Sequence, residues 1–173
     1  MPKPKIHKVA PQKGTLIDGC FSHVDYTDAY QATIPAGLSA SVDSVMRGIF
    51  ESTPWWVKAL MAVRNRIVAA IGLKTAEFEN VGTQEIEFRP GLSIRGFHVF
   101  DRTENEILLG LDDSHLDFRV SILLEMRGEE SKVIVTTIVR FNNWIGRAYF
   151  VPVKPGHKII VKALLRQAIM VHE

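Results

Sequence analysis

Asp112, Asp113, His115, Asp117 and Arg119 crowd into one short span of the chain. These residue types hold, move or neutralise protons and anions. A histidine flanked by carboxylates is fixed in one tautomer and its proton affinity rises, as general acid–base work requires. An arginine beside them can grip a carboxylate through two parallel hydrogen bonds. On a strand, His115, Asp117 and Arg119 would share one face at about 6.6–7 Å spacing. His115 is then the candidate acid or base, with Asp117 or Asp113 as its orienter. Arg147 and Tyr149 reach the same end of the sheet if the terminal helix packs across it. Arg119 or Arg147 could then hold a ligand carboxylate. Against this stands a simpler reading: Asp112 and Asp113 cap a turn, and Asp117 and Arg119 form an ion pair on the outer side of a sheet. A structural ion network ranks ahead of ligand contact, and ligand contact ahead of catalysis. Asp113 and His115 carry metal-ligating atoms, but no second histidine stands at ligand spacing, so neither metal nor cofactor is expected.

The elements that must position these groups can be read from hydrophobic periodicity. Leu116, Phe118, Val120, Ile122, Leu124 and Met126 alternate with mostly polar neighbours, the period-two pattern of a strand with one apolar face. A polar turn at Arg127–Glu130 follows, and Lys132–Asn142 resumes as a β-branched run suited to a covered strand. These two runs form a hairpin. Upstream, Glu106–Leu111 is a third strand, joined to the second by Asp112-Asp113-Ser114.

Earlier in the chain, Met1–Gly19 is polar and proline-containing, and reads as a loose arm or an extended edge segment. Residues 20–173 read as one domain. Tyr30–Ile34 alternates as a first strand, with Asp25 and Asp28 as turn formers. Ser41 is a helix N-cap, and Val42, Val45, Met46, Ile49 and Phe50 make an amphipathic stripe. Thr53-Pro54 starts a second helix, with Trp56, Leu60, Val63, Ile67, Ala70 and Ile71 as its buried stripe and Gly72 as its stop. Trp56 is expected at a groove edge. Glu85–Phe88 alternates weakly, as a short edge strand would. Gly91–Asp101 reads as one strand with Gly96 inside it, which marks a bulge or a close approach. Pro152 and Pro155 predict a short helical turn, a break or kink, and a long helix over His157–His172. Ile160, Ala163, Leu164, Gln167, Ala168 and Val171 would form its apolar face. Lys154, Lys158, Lys162 and Arg166 make a basic stripe, read as a solvated face ahead of an anionic surface or partner.

Composition narrows the function classes. The 173 residues suit a single domain with a core of its own. A formal net charge of +2 implies no nucleic-acid partner. The single cysteine, Cys20, excludes an internal disulfide and a thiolate metal cluster, and its usual catalytic partners are not identifiable. No apolar segment follows the basic N-terminus as a secretory signal would require. The most apolar helical stretch, Pro54–Leu73, carries Lys58, Arg64 and Arg66, which argues against a transmembrane segment. A cytoplasmic, bacterial-type protein is the expectation. Phosphate loops, dinucleotide fingerprints, nucleophile elbows and zinc-protease motifs are absent.

The order of elements resembles the helix-grip layout of the START and birch-pollen-allergen-like (SRPBCC) superfamily: an α+β fold in which a curved antiparallel sheet wraps a long C-terminal helix, with a helix pair after the first strand. The segments Leu109–Val120 and Gly146–Leu165 resemble one bacterial family of unknown function. Its members occur alone or fused C-terminally to short-chain-dehydrogenase-like domains. The resemblance implies a hydrophobic cavity between sheet and helix and no assigned activity. Three functions follow as expectations. The first is a binding protein for a small apolar or amphipathic ligand, contacted by Arg119, Arg147, Tyr149 and Trp56. The second is an interaction module for a dehydrogenase-like protein or a second copy of the chain. The third is a cyclase- or dehydratase-like enzyme using His115.

Overall fold

The computed structural model describes residues 5–34, 41–51, 87–127 and 130–170, with positions 55, 59, 62, 65, 66 and 69. Strands β1 (Ile6–Lys8) and β2 (Tyr26–Ile34) precede helix α1 (Val42–Glu51). Strands β3 (Ser93–Ile94), β4 (Phe97–Arg102), β5 (Glu106–Asp112), β6 (Leu116–Arg127) and β7 (Glu130–Phe141) follow, then helix α2 (Trp144–Met170). The strands form one seven-stranded sheet in the order β1-β2-β7-β6-β5-β4-β3, every adjacent pair antiparallel. The sheet is open and curved, and the long C-terminal helix lies against its inner face in the expected α+β helix-grip arrangement.

Register explains the two faces. Leu109, Val120, Thr137 and Asp28 stand opposite one another across β5, β6, β7 and β2. One register step away, Ile107, Ile122, Val135 and Tyr30 form the next inner row, and Leu111, Phe118, Val139 and Tyr26 the row on the other side. The central β6 alternates as its period-two pattern requires, so Asp117, Arg119 and Ser121 face outward. The main core lies between the inner face, α1 and the last turns of α2. A second apolar cluster joins Leu116, Val139 and Phe150 under the start of α2. A third, on the outer face, is made by Ile17 settling on Leu108 and Ile138.

Local signals account for most boundaries. Ser41 and Ser44 cap α1 reciprocally, each hydroxyl accepting the other's backbone N–H at 3.1 and 3.0 Å. Val42, Val45 and Met46 are buried, as the amphipathic stripe predicts. Asn143 caps α2 by accepting the Gly146 N–H at 3.1 Å. The second helix of the expected pair falls largely outside the described residues, and so does its buried stripe, including Trp56. The expected edge strand at Glu85–Phe88 is described only at 87 and 88, which are not in a strand.

Four expectations are corrected. The first strand starts at Tyr26, so Asp28 lies inside it instead of in a turn. Gly96 is the second residue of a tight hairpin turn: Arg95 and Gly96 both have positive φ, 48° and 83°, the combination a two-residue turn of this hand demands. The irregularity lies instead between Val99 and Asp101. Pro152 and Pro155 do not break α2. Both prolines are exposed, as are Ala148 and Val151, whose carbonyls lose their helical partners and can turn to water. Finally, in its last turns α2 buries Val161, Leu165, Ala168 and Ile169; of the expected stripe Ala168 is buried, Ile160, Ala163, Leu164 and Gln167 are half-buried, and Val171 lies outside the described residues. Two adjacent apolar stripes exist in that sequence, and close packing against α1 selects between them: a Cβ on Gly48 would sit 2.9 Å from the Ala168 Cα.

Gly146 gives a test of how tightly α2 is seated. A Cβ there would fall inside van der Waals contact of the His115 carbonyl oxygen, which also accepts the Asn142 N–H at 3.0 Å and cannot move freely. Alanine favours a helix over glycine by about 1 kcal/mol, but overpacking against backbone costs about 1–3 kcal/mol. Gly146→Ala should therefore lower stability in urea denaturation; a gain would show that the start of α2 is loosely docked.

Candidate functional site

The cluster flagged by sequence divides into three groups. Arg119 takes Asp112 through two hydrogen bonds, at 2.7 and 3.2 Å, on the outer face. Its guanidinium lies 3.6 Å from the Phe100 ring centroid and 5.0 Å from that of Phe21, so it is stacked as well as paired. Asp117 accepts from Arg140 directly across the ladder, from Asn142 at 3.0 Å and from the Asp113 N–H at 3.1 Å. His115 precedes β6 and is 1% exposed. Its Nδ1 lies 3.4 Å from Asp113, but among the described residues neither ring nitrogen has a hydrogen bond of acceptable geometry. The Tyr149 ring meets it edge-on at 5.1 Å. Arg147 goes elsewhere, reaching exposed Asp25 at 3.5 Å. The fold thus brings Asp113, His115 and Tyr149 together, and separates them from Arg119 and Arg147.

Burial alone would raise the Asp117 carboxyl. The hydrogen bonds from Arg140, Asn142 and the Asp113 backbone outweigh it and hold the group below its ordinary value. Burial pushes the Cys20 thiol up, with Arg119 opposing, which is the wrong direction for a nucleophile. Among the described residues, no group of three or more His, Cys, Asp or Glu is arranged to hold a metal.

A second constellation lies on the inner face, where sequence reading placed none. Asp28 is 3% exposed in mid-strand. It accepts the Tyr26 hydroxyl at 2.6 Å, and its other oxygen lies 3.4 Å from His157 Nε2 on α2. Opposite Asp28 on β7 stands Thr137, also 3% exposed, whose hydroxyl has no hydrogen-bond partner among the described residues. Facing cross-strand side chains have Cβ atoms about 4.5–5.5 Å apart. Asp28, Thr137 and His157 therefore form a polar seam across the sheet–helix interface. It separates the main core, containing Tyr30, Val135 and Val161, from the Leu116–Val139–Phe150 cluster. Beside Thr137, Val120 keeps partial access to solvent, as does Phe118 one step along the same face of β6. A Cβ on Gly156, next to His157, would meet nothing within 4 Å.

The seam is electrically biased. Burial would raise the Asp28 carboxyl, but hydrogen bonds from His157 and Tyr26, with the charges of His157 and Lys158, bring it below the usual carboxylate range. Burial and the Asp28 hydrogen bond push the Tyr26 phenol well above its ordinary value, so it remains a donor. Burial and the Asp28 charge raise Tyr30 as well. Lys154 and Lys162 lie over the Tyr26 and Tyr30 rings, 5.0 and 5.2 Å from their centroids. A fixed carboxylate, an orphan hydroxyl and a histidine can jointly hold the polar end of a guest whose body is apolar. Sequence held a signal for this: Tyr26, Asp28 and Tyr30 alternate, which marks an Asp on the covered face of a strand.

A family model described as "Protein of unknown function (DUF2867)" matches residues 20–164. No curated protein matches the chain. Among solved structures, a putative uncharacterized protein from Rhizobium leguminosarum is similar at 16% identity, covering 84% of this chain and 98% of its own, with a TM-score of 0.39.

Asp28 and Asp117 have carboxyls lowered by folding, so their contribution is complete above the unfolded value of about 4 and is lost as pH falls through the lower folded value. Urea denaturation between neutral and strongly acidic pH should show stability falling on that acid limb. Asp28→Asn should cost about 1–3 kcal/mol at neutral pH and flatten the limb. An unaltered limb would remove Asp28 from the stabilising network.

Proposed function

The chain belongs to the DUF2867 family of unknown function, and from that premise we propose that it binds a small, mostly apolar molecule between the inner face of the sheet and α2. The observation that carries this reading is the Thr137 hydroxyl, buried and without a partner among the described residues, beside the ionised Asp28. Leaving such a group unsatisfied costs about 1–3 kcal/mol, a cost that a hydrogen-bonding guest would remove. The head group best suited to the seam both donates and accepts: it donates to the Asp28 carboxylate and accepts from Thr137. A hydroxyl or an amide meets that requirement. The body of the guest would lie over Phe118 and Val120, both apolar and both partly open to solvent. The likeness of the layout to the START and SRPBCC superfamily supports a cavity here by analogy alone. Arg119 would then be a structural group of the outer face. Catalysis through His115 has less support, because the ring is sealed beneath the start of α2.

N-phenyl-1-naphthylamine, an apolar fluorophore with one N–H donor, tests the reading. Its emission should rise on mixing with the protein. Val120→Trp, which fills the recess, should weaken binding at least about tenfold, equivalent to about 1.4 kcal/mol. Thr137→Val should raise the stability of the free protein by about 1 kcal/mol. The same substitution should weaken capture of any molecule that co-purifies and is seen by native mass spectrometry. Absence of an emission change, or equal binding by Val120→Trp, would overturn the proposal.

A further inference from the structure

The outer side of α2 carries an exposed apolar stripe. Trp144, Ala148, Val151, Pro155 and Ile159 recur at intervals of three and four residues, which places them on one face of the helix. That face looks away from the sheet: Trp144, Val151 and Ile159 are 76%, 71% and 59% exposed. Large apolar side chains in a continuous exposed row mark a surface that meets something. Over the fifteen residue steps from Trp144 to Ile159 the row is about 22 Å long.

Charge identifies the occupant. From Trp144 to Met170 the helix has no acidic residue, and it has Arg147, Lys154, Lys158, Lys162 and Arg166. Arg147, Lys154 and Lys158 flank one edge of the stripe, and Lys162 and Arg166 continue it beyond Ile159. Arg147 has an exposed side chain, pairs with Asp25 at 3.5 Å and lies 5.6 Å from the Phe141 ring centroid, contacts that contribute little in water. Lys154 and Lys162 rest over the Tyr26 and Tyr30 rings of the sheet, so their ammonium groups lie on the edge of α2 that is nearer the sheet than the row is. An apolar row with a tryptophan at one end and cations along its side matches the interface of an anionic bilayer. The apolar side chains enter the acyl boundary and the cations meet lipid phosphates and carboxylates. The row stands on a convex helix surface, which suits a deformable planar phase better than a grooved protein partner.

We propose that α2 docks this protein on anionic lipid membranes, lying in the interface plane without crossing it. Among the described residues no helix is long and apolar enough to span a bilayer. The proposal stands independently of guest binding, since the stripe and the seam occupy opposite sides of the helix.

Sedimentation with vesicles tests it. The protein should pellet with phosphatidylcholine vesicles that contain phosphatidylserine and stay in solution with phosphatidylcholine alone. The combined variant Trp144→Ser, Val151→Ser, Ile159→Ser should lose at least about tenfold in vesicle affinity. The pair Lys154→Glu and Lys158→Glu should abolish the dependence on phosphatidylserine. Both variants change exposed or half-buried positions. Circular dichroism of the serine variant, whose three positions are exposed, should remain that of the parent, and its binding of N-phenyl-1-naphthylamine should persist, which separates this proposal from the previous one. No binding to phosphatidylserine vesicles, or equal binding by the serine variant, would overturn it. So would a parent protein that is dimeric in solution and becomes monomeric in that variant, because the stripe would then be covered by a second copy.

Discussion

A carboxylate buried in the middle of a strand sets the terms for the rest of this fold. Asp28 lies almost wholly out of water, where an unpaired charge would be prohibitive. It is tolerated because Tyr26 donates to it from the same strand face and His157 approaches it from α2. The second of these contacts joins groups 129 residues apart. It gives the sheet and the terminal helix a specific register that apolar packing alone would leave loose. Gly146 and Gly48 act in the same sense at either end of α2, by letting the helix approach the His115 backbone and α1 more closely than any side chain would allow.

The outer face solves a different problem. An open sheet wrapped on one side leaves its back exposed, and here polar pairs and a short segment of chain cover it. Glu106 accepts from Ser121 and from the Leu16 N–H, pinning the segment that brings Ile17 onto Leu108 and Ile138. Arg119 sits between Asp112 and two aromatic rings. These residues are close in sequence and chemically suggestive, yet each is already engaged by a partner within the fold.

That contrast explains what could and could not be read from sequence. The β5–β6–β7 meander was legible because alternation and β-branching there are long and regular. Helix α1 was legible because its cap and its stripe agree. The proximity of Asp112, Asp113, His115, Asp117 and Arg119 was also legible, but strand pairing sends their side chains to different environments. Asp117 finds Arg140 only through the β6–β7 register. The inner seam was missed because an aspartate near a strand start is ordinarily a turn former. Only the pairing of β2 with β7, and of Asp28 with a distant histidine, reveals its burial. The prolines of α2 misled for a related reason: local geometry disfavours them inside a helix, but their solvent-facing positions leave the freed carbonyls accessible to water.

Two sides of one helix thus carry different chemistry. The inner side closes a polar seam over an apolar sheet, and the outer side presents an apolar row with a cationic edge. A protein that exchanges an apolar guest with a lipid phase would need both, and neither requires a reacting group. The central claim is that the seam receives the head of that guest. Crystallography of protein purified without detergent or solvent extraction tests it most directly. The account predicts continuous density over Phe118 and Val120, ending within hydrogen-bonding distance of Thr137 Oγ1 and the Asp28 carboxylate. A seam filled only by ordered water, or closed by side chains that leave no space above Val120, would contradict it.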